Sequence, residues 1–180
     1  MESGNLILRP LCLEDEASFL DAIAAFRGNT PPFSFASHHD ATRDFKHHLR
    51  LLEDWRQGRS LPAGWVPNSF LVGVVDGRIV GRISIRHHLN DSLERVGGHI
   101  GYAVIPDCRR RGHARAMLRQ SLPICAGLGL KRILLTCDED NLASCRVIES
   151  CGGVFAGLCD EPGMSLQKRR YWIELESAGA

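Results

Sequence analysis

Residues 68–89, NSFLVGVVDGRIVGRISIRHHL, read as two apolar runs divided by Asp76-Gly77. An Asp-Gly pair in that setting is a strong signal for a two-residue type I′ turn, so the segment reads as an antiparallel hairpin. The other segments arrange themselves around it. NLILRPL reads as a short first strand. LEDEASFLDAIAAF follows with Phe19, Leu20, Ile23 and Ala24 at helical spacing, and Gly28 breaks it. TPPFSFASHHD is a loop by its proline pair, with Phe33 and Phe35 as candidates to line a pocket. A second helix is expected from Asp40, with Phe45, His48, Leu49 and Leu52 as its stripe and Gly58 as its stop.

After the hairpin, GGHIGYAVI is a strand stopped by Pro106. A helix begins at Gly112, with Ala114, Met117, Leu118, Leu122, Cys125 and Leu128 near one face. Pro123 inside it removes one backbone bond and should kink it. KRILLTC reads as a buried strand, NLASCRVIESC as a helix ended by Gly152-Gly153, and GVFAGL and KRRYWIEL as closing strands. Strands early and late with about four helices between them predict a single α/β (α+β) domain, residues 1–180, built on a mixed sheet. The length of 180 residues suits one core.

Charge narrows the class. The formal net charge is +1, so the basic excess is local and a dedicated nucleic-acid surface is not expected. No apolar run is long enough to span a bilayer, and MESGNLILRPLCLEDE lacks the long apolar core of a signal peptide. The seven cysteines are odd in number and never form C-x-x-C, which argues against a disulfide framework or a zinc site. Reduced structural thiols in a cytoplasmic protein are the expectation. The pairs His38-His39, His47-His48 and His87-His88 point their rings apart and make poor chelates, so no metal is expected.

The stretch CRRRGHARAM, Cys108 to Met117, carries the chemistry. Arg109, Arg110 and Arg111 follow a strand and precede a helix. A helix N-terminus presents unpaired N–H groups and about half a positive charge, and so attracts anions. Gly112 lets a phosphate approach the backbone, and Ala114 is small for the same reason. On the residues alone, a phosphate site and a solvated basic turn are equally good readings. No Gly-Lys-Ser/Thr follows, and no G-x-G-x-x-G occurs.

Arg109-x-x-Gly112-x-Ala114 resembles the Arg/Gln-x-x-Gly-x-Gly/Ala signature of the GCN5-related N-acetyltransferases (GNAT). DNLASCRVIESCGG resembles a second signature, Asn-x-x-Ser-x-Arg-x-x-Glu-x-x-Gly, of the ribosomal-protein alanine acetyltransferase branch. LILRPLCLEDEASFL resembles that branch's opening. RISIRHHLN, GGHIGYAVIP, LLTCDEDN and RRYWIEL are similar to segments of uncharacterised bacterial acetyltransferases. The resemblance spans nearly the whole chain. It implies a sheet splayed in a V, with acetyl-coenzyme A in the split. The pantetheine arm would pair with Tyr102, Ala103 and Val104, and the diphosphate would lie on Arg109 to Ala114, with His113 in that loop. Asn141, Ser144 and Arg146 would reach the cofactor. Each has a plainer alternative: Tyr102 and Val104 as core, Asn141 as a helix N-cap supported by Ser144, Arg146 as a surface charge.

Acetyl transfer to an amine needs the amine neutral, although an alkylammonium titrates near ~10.4. The resemblance implies a tyrosine as general acid where this chain has Ile148, so Tyr171 or Tyr102 must substitute, or water. It places His99 where a glutamate often stands, and His99 is the candidate general base, with a packing role as the alternative. His87, Asn90, Glu94 and Asp138 are candidates for the acceptor pocket. The expected partner is an amine-bearing small molecule or a peptide N-terminus. Homodimers are frequent in that family. A non-catalytic acyl-coenzyme A sensor is the competing reading.

Overall fold

The computed structural model describes residues 5–28, 33–36, 41–160, 163 and 166–175. The prolines of the TPPFSFASHHD loop, its histidine pair and Asp40 lie outside them. Strands β1 (Ile7–Pro10), β2 (Asn68–Val75), β3 (Arg78–Arg86) and β4 (Ile100–Val104) form one sheet in chain order. Strands β5 (Arg132–Asp138), β6 (Val154–Cys159) and β7 (Lys168–Glu174) form a second, in the order β5-β7-β6. Every pairing within the two sheets is antiparallel. Four α-helices flank them: α1 (Glu16–Ala24), α2 (Phe45–Arg56), α3 (His113–Gly127) and α4 (Leu142–Glu149). The α/β architecture with four helices is the one expected. The sheet divides between β4 and β5.

Local chemistry explains the elements. Asp76 and Gly77 both have positive φ, 48° and 77°, as a type I′ turn requires. α2 starts at Phe45 rather than at Asp40, because the Asp44 side chain accepts the His47 N–H at 2.8 Å and caps the helix there. Pro123 sits in the last turns of α3.

Helices cover both faces of the first sheet. Phe70 and Val72 of β2 turn toward α1 and α2, where Phe19 lies 5.8 Å from the Phe45 ring and 6.0 Å from the Phe70 ring. Gly73 and Gly81 sit opposite each other on β2 and β3 and leave a hollow for Met117 of α3. A Cβ at Gly73 would stand 2.7 Å from the Met117 sulfur, and one at Gly81 would stand 2.6 Å from the Ala103 carbonyl oxygen. Strand glycines of this kind mark close approach by a neighbour. On the other side, Ile83, Ile85, Leu118, Ile133, Leu135, Ile148 and Tyr171 form a second core that joins the two sheets.

The two sheets are pinned where β4 begins. A π-helical turn, Leu93–Gly97, leads into Gly98 at φ 63°, and a Cβ there would lie 2.5 Å from the Leu134 carbonyl oxygen. The His99 N–H donates to that carbonyl at 2.7 Å. Past this point β4 and β5 belong to separate sheets, and the groove described next runs along the unpaired edge of β4.

Candidate active site

β4 pairs with β3 along one edge only. The Ile105 N–H donates to Val80 at 3.0 Å, so the antiparallel alternation turns the N–H and C=O groups of Tyr102 and Val104 toward the opposite, open edge. An open strand edge is a template for adding another extended chain. A groove of about 750 Å³ runs along it. Tyr102, Ala103 and Val104 form one wall, and Asn141, Ala143, Ser144 and Val147 of α4 and its cap form the other.

The basic loop closes one end of this groove. After the 3-10 turn Pro106–Cys108, Arg110 has φ 60° and Gly112 has φ 82°, and Gly112 is the N-cap of α3. Left-handed residues in such a loop turn successive N–H groups into one concavity, which favours an anion. α3 is 15 residues long and opens onto that concavity. A Cβ on Gly112 would meet nothing within 4 Å, so the backbone there faces open space. Arg109, Arg110, Gly112, His113 and Ala114 all line the groove. The Arg109 Nε donates to the Val104 carbonyl at 3.2 Å, which turns its side chain back along the strand edge.

Two expected cofactor contacts do not join this lining. Arg111 and Arg146 are exposed on the surface and are not among the groove residues. Asn141 does cap α4, its side chain accepting the Ser144 N–H at 3.1 Å, and it also lines the groove. Phe26 and Arg115 line it without having been singled out in the sequence. Helical spacing gives the signal for Arg115, since it stands one turn into α3. Phe26 had none, because it lies just past the end of α1. Of the two loop aromatics, Phe33 lines the groove, whereas Phe35 is buried in the first core.

The tyrosines separate cleanly. Tyr102 points across to α4, its hydroxyl donating to the Ser144 carbonyl at 3.4 Å. Burial pushes this hydroxyl up to about 12, so it keeps its proton at neutral pH. Tyr171 is fully buried on β7, donates to Glu149 at 3.2 Å and packs edge-on against Phe155. It does not reach the groove, and its expected place in catalysis is corrected on that ground.

His99 is corrected too. Its Nδ1 accepts the Leu134 N–H at 2.9 Å, so the neutral ring carries its proton on Nε2 and has no free acceptor nitrogen. Burial, with Arg86 and His88 nearby, pushes it down to about 4. A ring held this way fastens β4 to β5 and cannot take a proton from an amine. All seven thiols are free, and burial pushes Cys125 and Cys137 up to about 12, and raises Cys108 in the groove wall.

A second cavity of about 540 Å³ adjoins the first, with Phe33 in both walls. Arg82, Ser84 and Arg86 of β3 form its floor, and Asn68, Trp65 and Asn90 stand around it. Of the four residues expected at an acceptor pocket, Asn90 is there. His87 is hydrogen-bonded to Ser69, Asp138 is ion-paired with Lys168 at 2.5 Å on the second sheet, and Glu94 is exposed away from the cavity. No Asp or Glu lines either cavity among the described residues.

Comparison with known proteins agrees with this geometry. Residues 5–154 match the family model described as an acetyltransferase (GNAT) domain. No curated protein matches the chain in sequence. Among solved structures, the ribosomal-protein-S5-alanine acetyltransferase of Vibrio fischeri is similar with a TM-score of 0.73 at 16% identity, over 100% of this chain and 98% of that one. RimJ of Mycobacterium smegmatis, in complex with CoA-disulfide, gives 0.71 at 23% identity over 99% and 86%. The microcin C7 self-immunity acetyltransferase MccE, in complex with acetyl-CoA and AMP, gives 0.69 at 15% identity over 97% and 98%.

Proposed function

Since the chain belongs to the GNAT acetyltransferase family, we propose that it is an acetyl-CoA-dependent N-acetyltransferase that moves an acetyl group directly to a primary amine of a small molecule or peptide. One observation carries this reading. The open edge of β4 runs straight into a left-handed loop and the N-terminus of α3, and nothing stands above Gly112.

The residues suit the parts of coenzyme A in order. Arg109, Arg110, Gly112, His113 and Ala114 offer a concave set of N–H groups and two guanidinium forks to a diphosphate. The outward N–H and C=O groups of Tyr102 and Val104 offer strand-like hydrogen bonds to an extended amide arm. Asn141 and Ser144 stand opposite. Acetyl-CoA supplies a thioester already activated for attack by an amine.

The chain's own groups then have few tasks. An outward N–H of β4 donates to the carbonyl oxygen, where negative charge builds up. The Tyr102 hydroxyl holds a proton at the groove wall for the departing sulfur. With no carboxylate lining either cavity among the described residues and His99 occupied, the amine loses its proton to water.

The test is release of free thiol from acetyl-CoA in the presence of a panel of primary amines. Turnover with at least one amine is expected. Tyr102→Phe should lower it by roughly 100-fold, the low end of the range for a positioned proton donor, because a thiolate leaves readily without help. Coenzyme A binding without thiol release from any amine would make the protein a sensor of the same fold.

A further inference from the structure

Arg82 and Arg86 stand four residues apart on β3, on the same face, in the floor of the second cavity. Arg82 is registered opposite Ala103 of β4, one strand from the open edge. Its guanidinium is wedged between aromatic rings, 5.1 Å from Phe33 and 5.7 Å from Phe70. Its Nη1 donates to the Ser84 hydroxyl at 2.9 Å and its Nη2 to the Ser34 carbonyl at 3.4 Å, while its buried Nε has no partner among the described residues. Arg86 donates from Nη1 to the Gly97 and Gly98 carbonyls, both at 3.0 Å.

Neither guanidinium has a carboxylate partner among the described residues. Arg9, Arg56, Arg59 and Arg78 all do. A buried charge without a counter-charge is costly, and a second like charge beside it adds to the cost. Burial lowers both groups from the usual arginine range, Arg82 to about 10 with Arg86 contributing. The fold thus keeps two cations in a cavity whose remaining polar lining, Ser84, Asn68 and Asn90 among it, is neutral.

We propose that this cavity receives an acceptor amine that also carries an oxyanion, such as a carboxylate, seated against Arg82 and Arg86. The planar fork of arginine matches an oxyanion in two parallel hydrogen bonds. The anion supplies the missing counter-charge, and the rest of the molecule extends past Phe33 to present its amine at the first groove. A cavity of about 540 Å³ is the size of a small-molecule site. This inference rests on the acetyltransferase reading, because it assigns the acceptor of that reaction.

The experiment pairs each anionic amine with its uncharged form: L-amino acids against their carboxamides, 4-aminobutyrate against 4-aminobutyramide, and 3-aminopropylphosphonate as the phosphonate arm. Calorimetric binding without cofactor and thiol release with acetyl-CoA are both read, on wild type, Arg82→Gln and Arg86→Gln. In wild type an anionic member should bind and react better than its neutral partner, and the arm that wins separates carboxylate from phosphonate. Loss of one charge-assisted hydrogen bond should lower kcat/KM for it by roughly 10- to 100-fold in the variants, with coenzyme A affinity unchanged. Each guanidinium also holds hydrogen bonds within the fold, Arg82 to Ser84 and Ser34 and Arg86 to Gly97 and Gly98, so thermal unfolding of both variants is measured alongside, and the comparison is drawn on a variant that keeps the wild-type Tm. Thiol release that favours the neutral members overturns the anion site and leaves the acetyltransferase reading standing. Arginine-dependent binding of an anionic amine by a protein that binds no coenzyme A would do the reverse. An anionic preference undiminished in both variants also overturns the proposal.

Discussion

His99 shows how one residue settles between two roles. Its Nδ1 is taken by a backbone N–H, and its ring is only 6% exposed. Folded, it titrates at about 4; unfolded, near the ordinary ~6.5. The unfolded chain therefore binds the extra proton between those values. The stabilisation is complete above about pH 6.5 and is lost as pH falls toward 4, a loss of about 2 kcal/mol between pH 7 and pH 5. Asparagine offers an acceptor oxygen close to where Nδ1 stands and does not titrate. His99→Asn should flatten the dependence of urea stability on pH between 7 and 5 while keeping wild-type turnover. Turnover that collapses in this variant, together with its acidic limb, would return His99 to the role of base. That His99 stands at the entry to a strand, with β4 beginning at Ile100, was legible in the sequence. Its hydrogen bond was not, because it depends on Gly98 turning at positive φ against Leu134, a contact made across 35 positions of chain.

The elements were the most legible level. Alternation and the Asp76-Gly77 turn gave β2 and β3, and helical spacing with its glycine stops gave α1 to α4. Side-chain direction within a strand was less so. Arg82 and Arg86 look in sequence like ordinary outward positions of an alternating strand, and only packing against Phe33 and Phe70 shows that they face a cavity. The strand glycines behave similarly, since no pattern announces that Gly73 and Gly81 share one neighbour. That neighbour gives a test. At Gly73 an added methyl meets the end of the flexible Met117 side chain, whereas at Gly81 it also meets the Ala103 carbonyl oxygen, which cannot swing aside. Gly81→Ala should cost about 1–3 kcal/mol in chemical denaturation, and Gly73→Ala less. Gly73→Ala with Met117→Ala should cost less than the sum of the two single changes, because the second makes room for the first. Two alanine variants within about 0.5 kcal/mol of wild type would show that α3 sits less closely on the sheet than this packing requires.

For the whole molecule, the consequential fact is that two antiparallel sheets are pinned at His99–Leu134 and part beyond it. The parting frees the edge of β4, and the same strand delivers the chain through Pro106–Cys108 to the N-terminus of α3. Arg109 and Arg110 thereby face a groove with exposed N–H groups and no carboxylate in its lining among the described residues. The motif was legible because loop and helix are contiguous in sequence. The opposite wall was legible only as the cap Asn141 and its helix, since their approach to Tyr102 is a product of the fold. The central claim is that this groove holds coenzyme A with its diphosphate at Gly112. Calorimetric titration of coenzyme A into wild type and Gly112→Asp tests it most directly. The substitution puts a carboxylate into the open space above the loop, at a backbone angle, φ 82°, that costs a non-glycine residue roughly 1–2 kcal/mol. Saturable one-to-one binding by wild type, weakened at least about 10-fold in a folded Gly112→Asp by charge repulsion at the helix N-terminus, is the result predicted. Equal affinity in the two proteins would contradict it and leave the arginines a solvated turn.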